Sequence, residues 1–365
     1  MKQGLLFIGD LSIDDTLAIG RAADAAGFDS LNFVEAYRSA FVPLAALAGV
    51  TQRVQLRTYI ANAYAHNPFA MGLLAFDLDE LSRGRFVLGI GTGNRHLNEL
   101  ALGMDRAGVY GKMREFTEIV RGILGAAQGE LVSYEGAHHK VRWRQTAKPF
   151  RPRIPVHVAA IFPKMIDVAA GVADGIALGV LLSPEYLREV VRPRIARAAE
   201  AAGRDPAAIA LPMAALVAVD ENLDDARNAV RAAIASFFHP MPHPYYEYLL
   251  REQGYSKVAD AAKRLVPVGK TAEVLEMMED GLVDRLALAG TADRISRRLA
   301  DYEGLADEVI YLNVGRSTGS SALERYRPLL SIRPCMFGAA IHGETARLPE
   351  RPARPSLAGR SGPEE

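Results

Sequence analysis

Residues 83–99 read RGRFVLGIGTGNRHLNE. Phe86, Val87 and Leu88 make a short apolar strand that runs into Gly89, Gly91 and Gly93, then into the polar stretch from Asn94 to Glu99. Glycines at a strand's carboxyl end remove side chains where a ligand must approach the backbone, and they permit positive φ. A tight turn would also use them, so the surrounding chain has to decide between the two readings.

Upstream, residues 4–8 form a buried strand ending at Gly9 and Asp10. Ser12, with Asp15 three residues on, marks a helix start, and Gly27 marks its end. A strand over 30–34 ends in Glu35, Ala36 and Tyr37. A helix over 41–51 leads to a strand over 54–60, and NAYAHNP at 62–68 forms a rim loop before a helix over 69–81. Strand, loop and helix thus recur about every 25–30 residues, the pattern of a parallel βα sheet.

Downstream the rhythm loosens. A helix over 112–127 precedes a hairpin over 130–143 that turns at Gly136. A strand over 155–159, a helix over 163–173 and a strand over 175–178 follow. A long helix over 186–202 is started by Pro184 and stopped by Gly203. After a strand over 209–219, residues 223–278 show no strand pattern and read as a helical insertion, about 223–280, between strands 7 and 8. Its centre, HPMPHPYYEY, suggests a lid or pocket wall. A last strand over 308–314 completes eight in parallel order, which predicts an α/β fold of the (β/α)8 TIM-barrel type. Residues 1–343 are expected to form one domain. The Arg-, Pro-, Gly- and Ser-rich stretch 344–365 is expected to be a disordered tail.

Composition narrows the class. Of 365 residues, 43 are basic and 43 acidic, so there is no electrostatic footprint for nucleic acid, and a small ligand fits better than a polyanion. Cys335 is the single cysteine, which excludes an intramolecular disulfide and a multi-cysteine metal site. The amino terminus turns acidic after too short an apolar run for a signal peptide, and no run reaches the roughly 18 apolar residues of a membrane span. A cytoplasmic protein is expected. Its many apolar helix faces are compatible with a homodimer.

In a barrel of this type the reactive groups stand at the carboxyl ends of the strands. Those positions hold Asp10, Glu35 to Tyr37, residues 58–62 with His66 and Asn67, residues 91–98, Ala160 with Ile161, and Gly179. Several are polar beside apolar strands, and buried polar groups need partners, which a ligand or water supplies. Plainer readings stand beside the functional ones. Glu35 can pair with Arg38, His66 can cap the following helix, and His157 reads as a satisfied core histidine. His138 and His139 read as solvent-facing. His239 and His243 are spaced for a metal on a helix, but Pro240 and Pro242 rule that helix out, and no metal is expected. The glycine run fails the G-x-G-x-x-G spacing of a dinucleotide fold. Tyr245, Tyr246 and Tyr248 suit a substrate-pocket wall or ordinary packing.

The segments LNFVEAY, RTYIANAYAHNPFAM, DELSRGRFVLGIGTGN and VADGIALG follow in the order and spacing of the bacterial luciferase-like superfamily. The sequence resembles most closely the branch that uses the deazaflavin coenzyme F420, which includes methylenetetrahydromethanopterin reductases, and the likeness spans roughly residues 4–331. The resemblance implies an oxidoreductase that transfers hydride between F420 and a small organic substrate. An FMN-dependent monooxygenase is the first alternative, and a non-catalytic flavin- or deazaflavin-binding protein the second. It also implies a cis peptide near Thr58 and Tyr59. Cofactor contacts are implied at Thr58, Tyr59, Asn62, Gly91, Thr92, Gly93, Asn94, Asn98, Ala160, Ile161 and Gly179. Many relatives follow the acid of the second strand with a proton-transferring histidine. Here Ala36 stands in that place, so the role is empty or falls to Glu35, Tyr37 or His66. A glycine-bearing phosphate turn after the fifth strand is replaced by Ala159 to Pro163, with the helix start at Pro163 as the alternative anion site.

Overall fold

Ser12 accepts a hydrogen bond from the Asp15 amide at 3.0 Å, and Gly27 ends the same helix at φ +92°, so the first start and stop signals act as expected. The computed structural model describes residues 1–36, 38–95, 97–105, 107–239, 243–315 and 321–332. Its first part alternates β1 (Lys2–Phe7), α1 (Ile13–Ala26), β2 (Ser30–Phe33), α2 (Phe41–Val50), β3 (Gln55–Thr58), the two-residue β4 (Ala61–Asn62), α3 (Pro68–Leu81) and β5 (Phe86–Gly91). A π-helical turn (Leu97–Ala101) and α4 (Val109–Gly125) precede the antiparallel hairpin of β6 (Leu131–Glu135) and β7 (Lys140–Arg144). Next come β8 (Val156–Ala159), α5 (Pro163–Val172) and β9 (Gly175–Ala177). A helix then runs from α6 (Pro184–Tyr186) through a π segment (Leu187–Val191) into α7 (Arg192–Ala201), ahead of β10 (Pro212–Val219).

The connection out of β10 carries α8 (Leu223–Ser236), α9 (Pro244–Glu252), α10 (Ser256–Leu265), α11 (Thr271–Met277) and α12 (Asp280–Leu286). It continues with a three-residue strand, β11 (Leu288–Gly290), then α13 (Ala292–Arg298), β12 (Glu308–Asn313) and α14 (Ala322–Leu330). The sequence reading has no counterpart to β11, because three residues are too few to display a period. The stretch 344–365 lies outside the described residues.

The main sheet is parallel. β1 pairs with β12 on one side and β2 on the other, then β3, β5, β8 and β9 follow in turn, while β10 pairs with the far side of β12. Bridges at Gly175–Ala210 and Leu178–Met213 join β9 to the β10 side. The Leu178 amide donates to the Pro212 carbonyl at 2.9 Å and the Ala214 amide to the Leu178 carbonyl at 3.0 Å, so the curled sheet meets itself. Strands covered on both faces read as continuous apolar runs: in β10, PMAALVAV, seven of eight residues are buried.

Two local corrections concern the third strand and the helix after it. The expected strand over 54–60 is split. β3 stops at Thr58, the peptide Tyr59–Ile60 is cis, and β4 resumes pairing with β5. The cis bond is thus one residue beyond the expected place. Helix α3 begins at Pro68, one residue early, because Asn67 accepts from the Ala70 amide at 2.7 Å and thereby serves as its N-cap. His66 therefore does not cap that helix.

The amino-terminal end of the sheet is closed by polar side chains. Arg57, 3% exposed, reaches Glu308 at 3.0 Å and Asn32 at 3.1 Å, and Ser30 donates to the same Glu308 carboxylate. His157 is buried in β8 as expected, yet its Nδ1 has no partner among the described residues, so it is a core histidine without being a satisfied one. Burial pushes the imidazole down to about 3. A histidine ordinarily near 6.5 and held near 3 in the fold takes up its proton in the unfolded chain first. Its contribution is complete above pH 6.5 and is lost as the pH falls toward 3. Between pH 7 and pH 5 the protein is expected to lose about 2 kcal/mol more than a His157→Gln variant, read from urea unfolding. Identical pH dependence in the two proteins would rule out the neutral buried imidazole.

Candidate active site

At the carboxyl end of β2 the chain carries Glu35, whose amide donates to the Ile60 carbonyl at 3.1 Å. That bond sets the carboxylate beside the loop that follows β3. The Asn62 amide donates to Glu35 Oε2 at 2.9 Å. His66 brings its Nε2 to 3.1 and 3.0 Å from the two carboxylate oxygens. Both side chains are mostly enclosed, 13% exposed for Glu35 and 19% for His66, and the Phe41 ring meets the imidazole edge-on at 5.8 Å. Arg38 turns instead to the Gly9 carbonyl, so the simple pairing with Glu35 is not made. An acid and an imidazole in this contact can share or pass a proton. The imidazole that meets Glu35 thus comes from 31 residues along the chain, not from position 36. Tyr37 lies outside the described residues.

The glycine run behaves differently from its first reading. A Cβ on Gly89 would overlap the Thr58 carbonyl oxygen, and one on Gly91 would stand 2.9 Å from Ile60 Cγ1 and 3.0 Å from the Ala159 Cβ. These two glycines make room for neighbouring strands. Gly93 is different: at φ +62° it turns the chain at the rim, and a Cβ there would meet the Asn62 side chain at 2.7 Å. Thr58 is fully buried, with its hydroxyl donating to the Gly89 carbonyl at 2.7 Å and accepting from the Gly89 amide at 2.8 Å. Tyr59 points inward and donates to the Leu178 carbonyl at 2.7 Å, with the Pro212 carbonyl 2.9 Å away. Both residues therefore shape the floor through the backbone.

Asn62 and Asn98 fix the loop after β5. Asn62 Nδ2 donates to Asn98 Oδ1 at 2.8 Å, its Oδ1 accepts from the Tyr64 amide, and Asn98 Nδ2 donates to the Thr92 carbonyl. Asn98 is wholly buried, so its amide is a strut behind the loop. Thr92 and Gly93 are half-buried and Asn94 is exposed. Across the opening, the Tyr245 hydroxyl donates to the Gly93 carbonyl at 3.1 Å and lies 3.2 Å from Thr92 Oγ1. Its ring packs edge-on to Phe162 at 5.4 Å, and Tyr248 packs tilted against Phe162 at 4.9 Å. Tyr245 and Tyr248 thus stand as a wall beside the Thr92–Gly93 rim, whereas Tyr246 stacks on Phe237 at 3.8 Å as ordinary packing. The sequence signal for the wall, three tyrosines beside prolines, was visible, but its partners were not.

On the remaining side Ala160 is buried, while Ile161 packs against Gly179, where a Cβ would come within 3.2 Å of its Cδ1. Helix α5 has Phe162 as N-cap and no side-chain cap; Pro163 carries no N–H and the Met165 and Ile166 amides donate to the Phe162 carbonyl at 2.9 and 3.0 Å, so among the described residues the Lys164 amide is the first-turn donor left for an anion. Lys164 in that turn is exposed, 5.9 Å from the Tyr110 ring centre. Sequence reasoning passed over it, although a lysine in an uncapped first turn at a strand end was a readable signal.

The family model for luciferase-like monooxygenases matches residues 3–308. The chain belongs to that family. It is 28% identical over 303 residues to the 5,10-methylenetetrahydromethanopterin reductase of Archaeoglobus fulgidus, covering 82% of this chain and 89% of the relative. In structure it is similar to the coenzyme F420-dependent tetrahydromethanopterin reductase of Methanopyrus kandleri, with a TM-score of 0.75 and 20% identity over 89% of this chain and 96% of that one. It is also similar to the monooxygenase RslO1 of Streptomyces bottropensis, with a TM-score of 0.66 and 22% identity over 91% and 98% of the two chains. These enzymes share the fold, and the expectation of a luciferase-like member near the F420-dependent reductases holds.

Proposed function

We propose that this protein is an F420-dependent oxidoreductase that moves a hydride between the deazaflavin and a small organic substrate, and that its curled sheet is a (β/α)8 barrel with the helices of about 223–280 as an insertion. The observation that carries the reading is the Glu35–His66 pair, 3.0 Å apart and mostly enclosed at the carboxyl end of the sheet. Resemblance to the methylenetetrahydromethanopterin reductases supports F420, while the family's monooxygenase members keep FMN as the alternative.

The residues fit such a cofactor on two counts. The start of α5, where Lys164 offers its backbone amide and its charged side chain beside the helix dipole, suits a phosphate. The loop from Gly91 to Asn94, held from behind by Asn62 and Asn98, presents backbone groups with little side-chain bulk. When bound, the deazaflavin supplies the hydride chemistry, and the protein supplies orientation and proton handling. Thr92, Gly93 and Asn94 would line the cofactor, with Ile161 and Gly179 facing it from the far side. Glu35 would hold His66 so that the ring accepts or returns the proton that accompanies hydride transfer at the substrate oxygen or carbon. The wall of Phe162, Tyr245 and Tyr248 would exclude water.

Titration of the purified protein with F420 and, separately, with FMN tests the assignment by absorbance and fluorescence. Saturable binding of F420 at least tenfold tighter than FMN is the expected result. Preference for FMN, with oxygen consumption from reduced FMN, would transfer the assignment to the monooxygenase alternative. Tight binding without redox activity across alcohols, ketones and enones would favour a non-catalytic cofactor-binding protein.

A further inference from the structure

Helix α9 touches the loops that follow three neighbouring strands, β5, β8 and β9. Its first turn meets the loop after β5 through Tyr245, and Phe162, after β8, packs against both Tyr245 and Tyr248. At its far end α9 meets the loop after β9, and there Gln253 makes the contact.

Gln253 directly follows α9 and is 7% exposed. Its Nε2 donates to the Leu249 carbonyl of the same helix at 3.0 Å and to the Leu181 carbonyl at 2.7 Å. Its Oε1 accepts from the Ser183 amide at 3.0 Å. Both hydrogens and the oxygen of the side-chain amide are thus used. Leu181 and Ser183 flank Leu182, so the amide meets this loop much as the peptide of an adjacent strand would.

The loop depends on that contact. Leu181 stands at φ +67°, a conformation that a residue with a side chain keeps only where its surroundings hold it. Leu181 and Ser183 are fully enclosed, so without the glutamine a carbonyl and an amide would each lose a partner inside the fold. Ser183 also starts the next helical turn, its hydroxyl accepting from the Tyr186 amide at 3.2 Å, and the Tyr186 hydroxyl is hydrogen-bonded to Tyr248 on α9.

We propose that Gln253 is a positioning residue for the hydride transfer described above, an inference that rests on the oxidoreductase reading. By tying α9 to the turn after β9, its amide sets how closely Tyr245 and Tyr248 approach the substrate. It acts through the helix, so its loss is read in substrate binding and not in the proton step at Glu35 and His66.

Hydrogen exchange of the full chain without cofactor, followed by mass spectrometry, tests the tie. In wild-type protein at low urea, peptides over 181–187 and 244–252 should open together, with the same urea dependence. Gln253→Met keeps the length of the side chain and lacks its hydrogen bonds. It should speed exchange in both segments by about tenfold or more and leave residues 13–26 unchanged. Separate opening of the two segments in the wild type would overturn the proposal even if the variant failed to fold.

Kinetics test the role. In Gln253→Met, KM for the organic substrate should rise about tenfold while kcat stays within about threefold. Gln253→Glu gives a closer check, because a protonated carboxyl can accept from the Ser183 amide and donate to the Leu181 carbonyl, and the ionised form cannot donate. Its KM, relative to wild type at the same pH, should therefore return toward the wild-type value as the pH is lowered. A fall in kcat at unchanged KM, or a KM ratio that does not move with pH, would overturn the positioning role. Coupled opening in a protein inactive with both F420 and FMN would remove the oxidoreductase reading, and this role with it, while leaving the tie itself in place.

Discussion

Glu35→Gln is expected to lower turnover by about a hundredfold to ten-thousandfold, the range for removing a positioned general acid or base. The substitution is nearly isosteric. Its amide oxygen can still accept from the Asn62 amide, and its amide nitrogen can still meet His66 Nε2. It removes the carboxylate that can exchange a proton with His66 while leaving the loop in place. Cofactor affinity, measured by fluorescence titration, should therefore change only a few-fold while kcat falls. His66→Gln should cost a similar factor, and the double variant little more than either alone, because the two side chains act as a unit. The assay is oxidation of reduced F420 with an acceptor that the wild type reduces. Full turnover in both single variants would remove this pair from the mechanism.

Gly89→Ala is expected to produce the largest loss of stability of any single methyl added to the strand ends. The new Cβ would overlap the Thr58 carbonyl oxygen, a backbone atom that cannot rotate away. Thr58 is itself fixed by its hydroxyl, which bonds both the carbonyl and the amide of Gly89. Overpacking of a core ordinarily costs about 1–3 kcal/mol through side-chain adjustment. Here the strand must shift, so the loss should lie at or above the upper end, read as the change in urea midpoint. Gly27→Ala gives a contrast: it meets no atom within 4 Å and costs only its positive φ. A Gly89→Ala protein as stable as Gly27→Ala would show that β3 and β5 are less closely packed than the structure has them.

Most element positions were readable from residue chemistry. Ser12 and Gly27 bounded a helix because a hydroxyl acceptor and a left-handed residue do the same work in any fold. The errors fell where a neighbour decides. Residues 54–60 look like one strand, but the chain breaks at Tyr59–Ile60 to pass the close approach of Gly89 and Gly91. β11 exists because β10 offers an edge for Leu288 to Gly290, which three residues cannot announce. His157 sits within an apolar strand as its neighbours suggest, whereas the missing partner of its Nδ1 depends on what the fold packs around the ring.

For the site, sequence alone determined which residues reach the strand ends. Strand period and glycine placement fix that locally, and they brought Glu35, Asn62, His66 and the run from Gly91 to Asn98 into consideration together. The tertiary structure decided what each of them does. Glu35 and His66 are 31 residues apart and meet only because β2 and β3 are neighbours in the sheet. Asn98 became a buried strut, Gly89 and Gly91 became clearances between strands, and Tyr245 closed over Thr92 from 153 residues away. Local propensity acts over a few residues, whereas hydrogen-bond partners and excluded volume are set by whichever strands the curled sheet brings side by side.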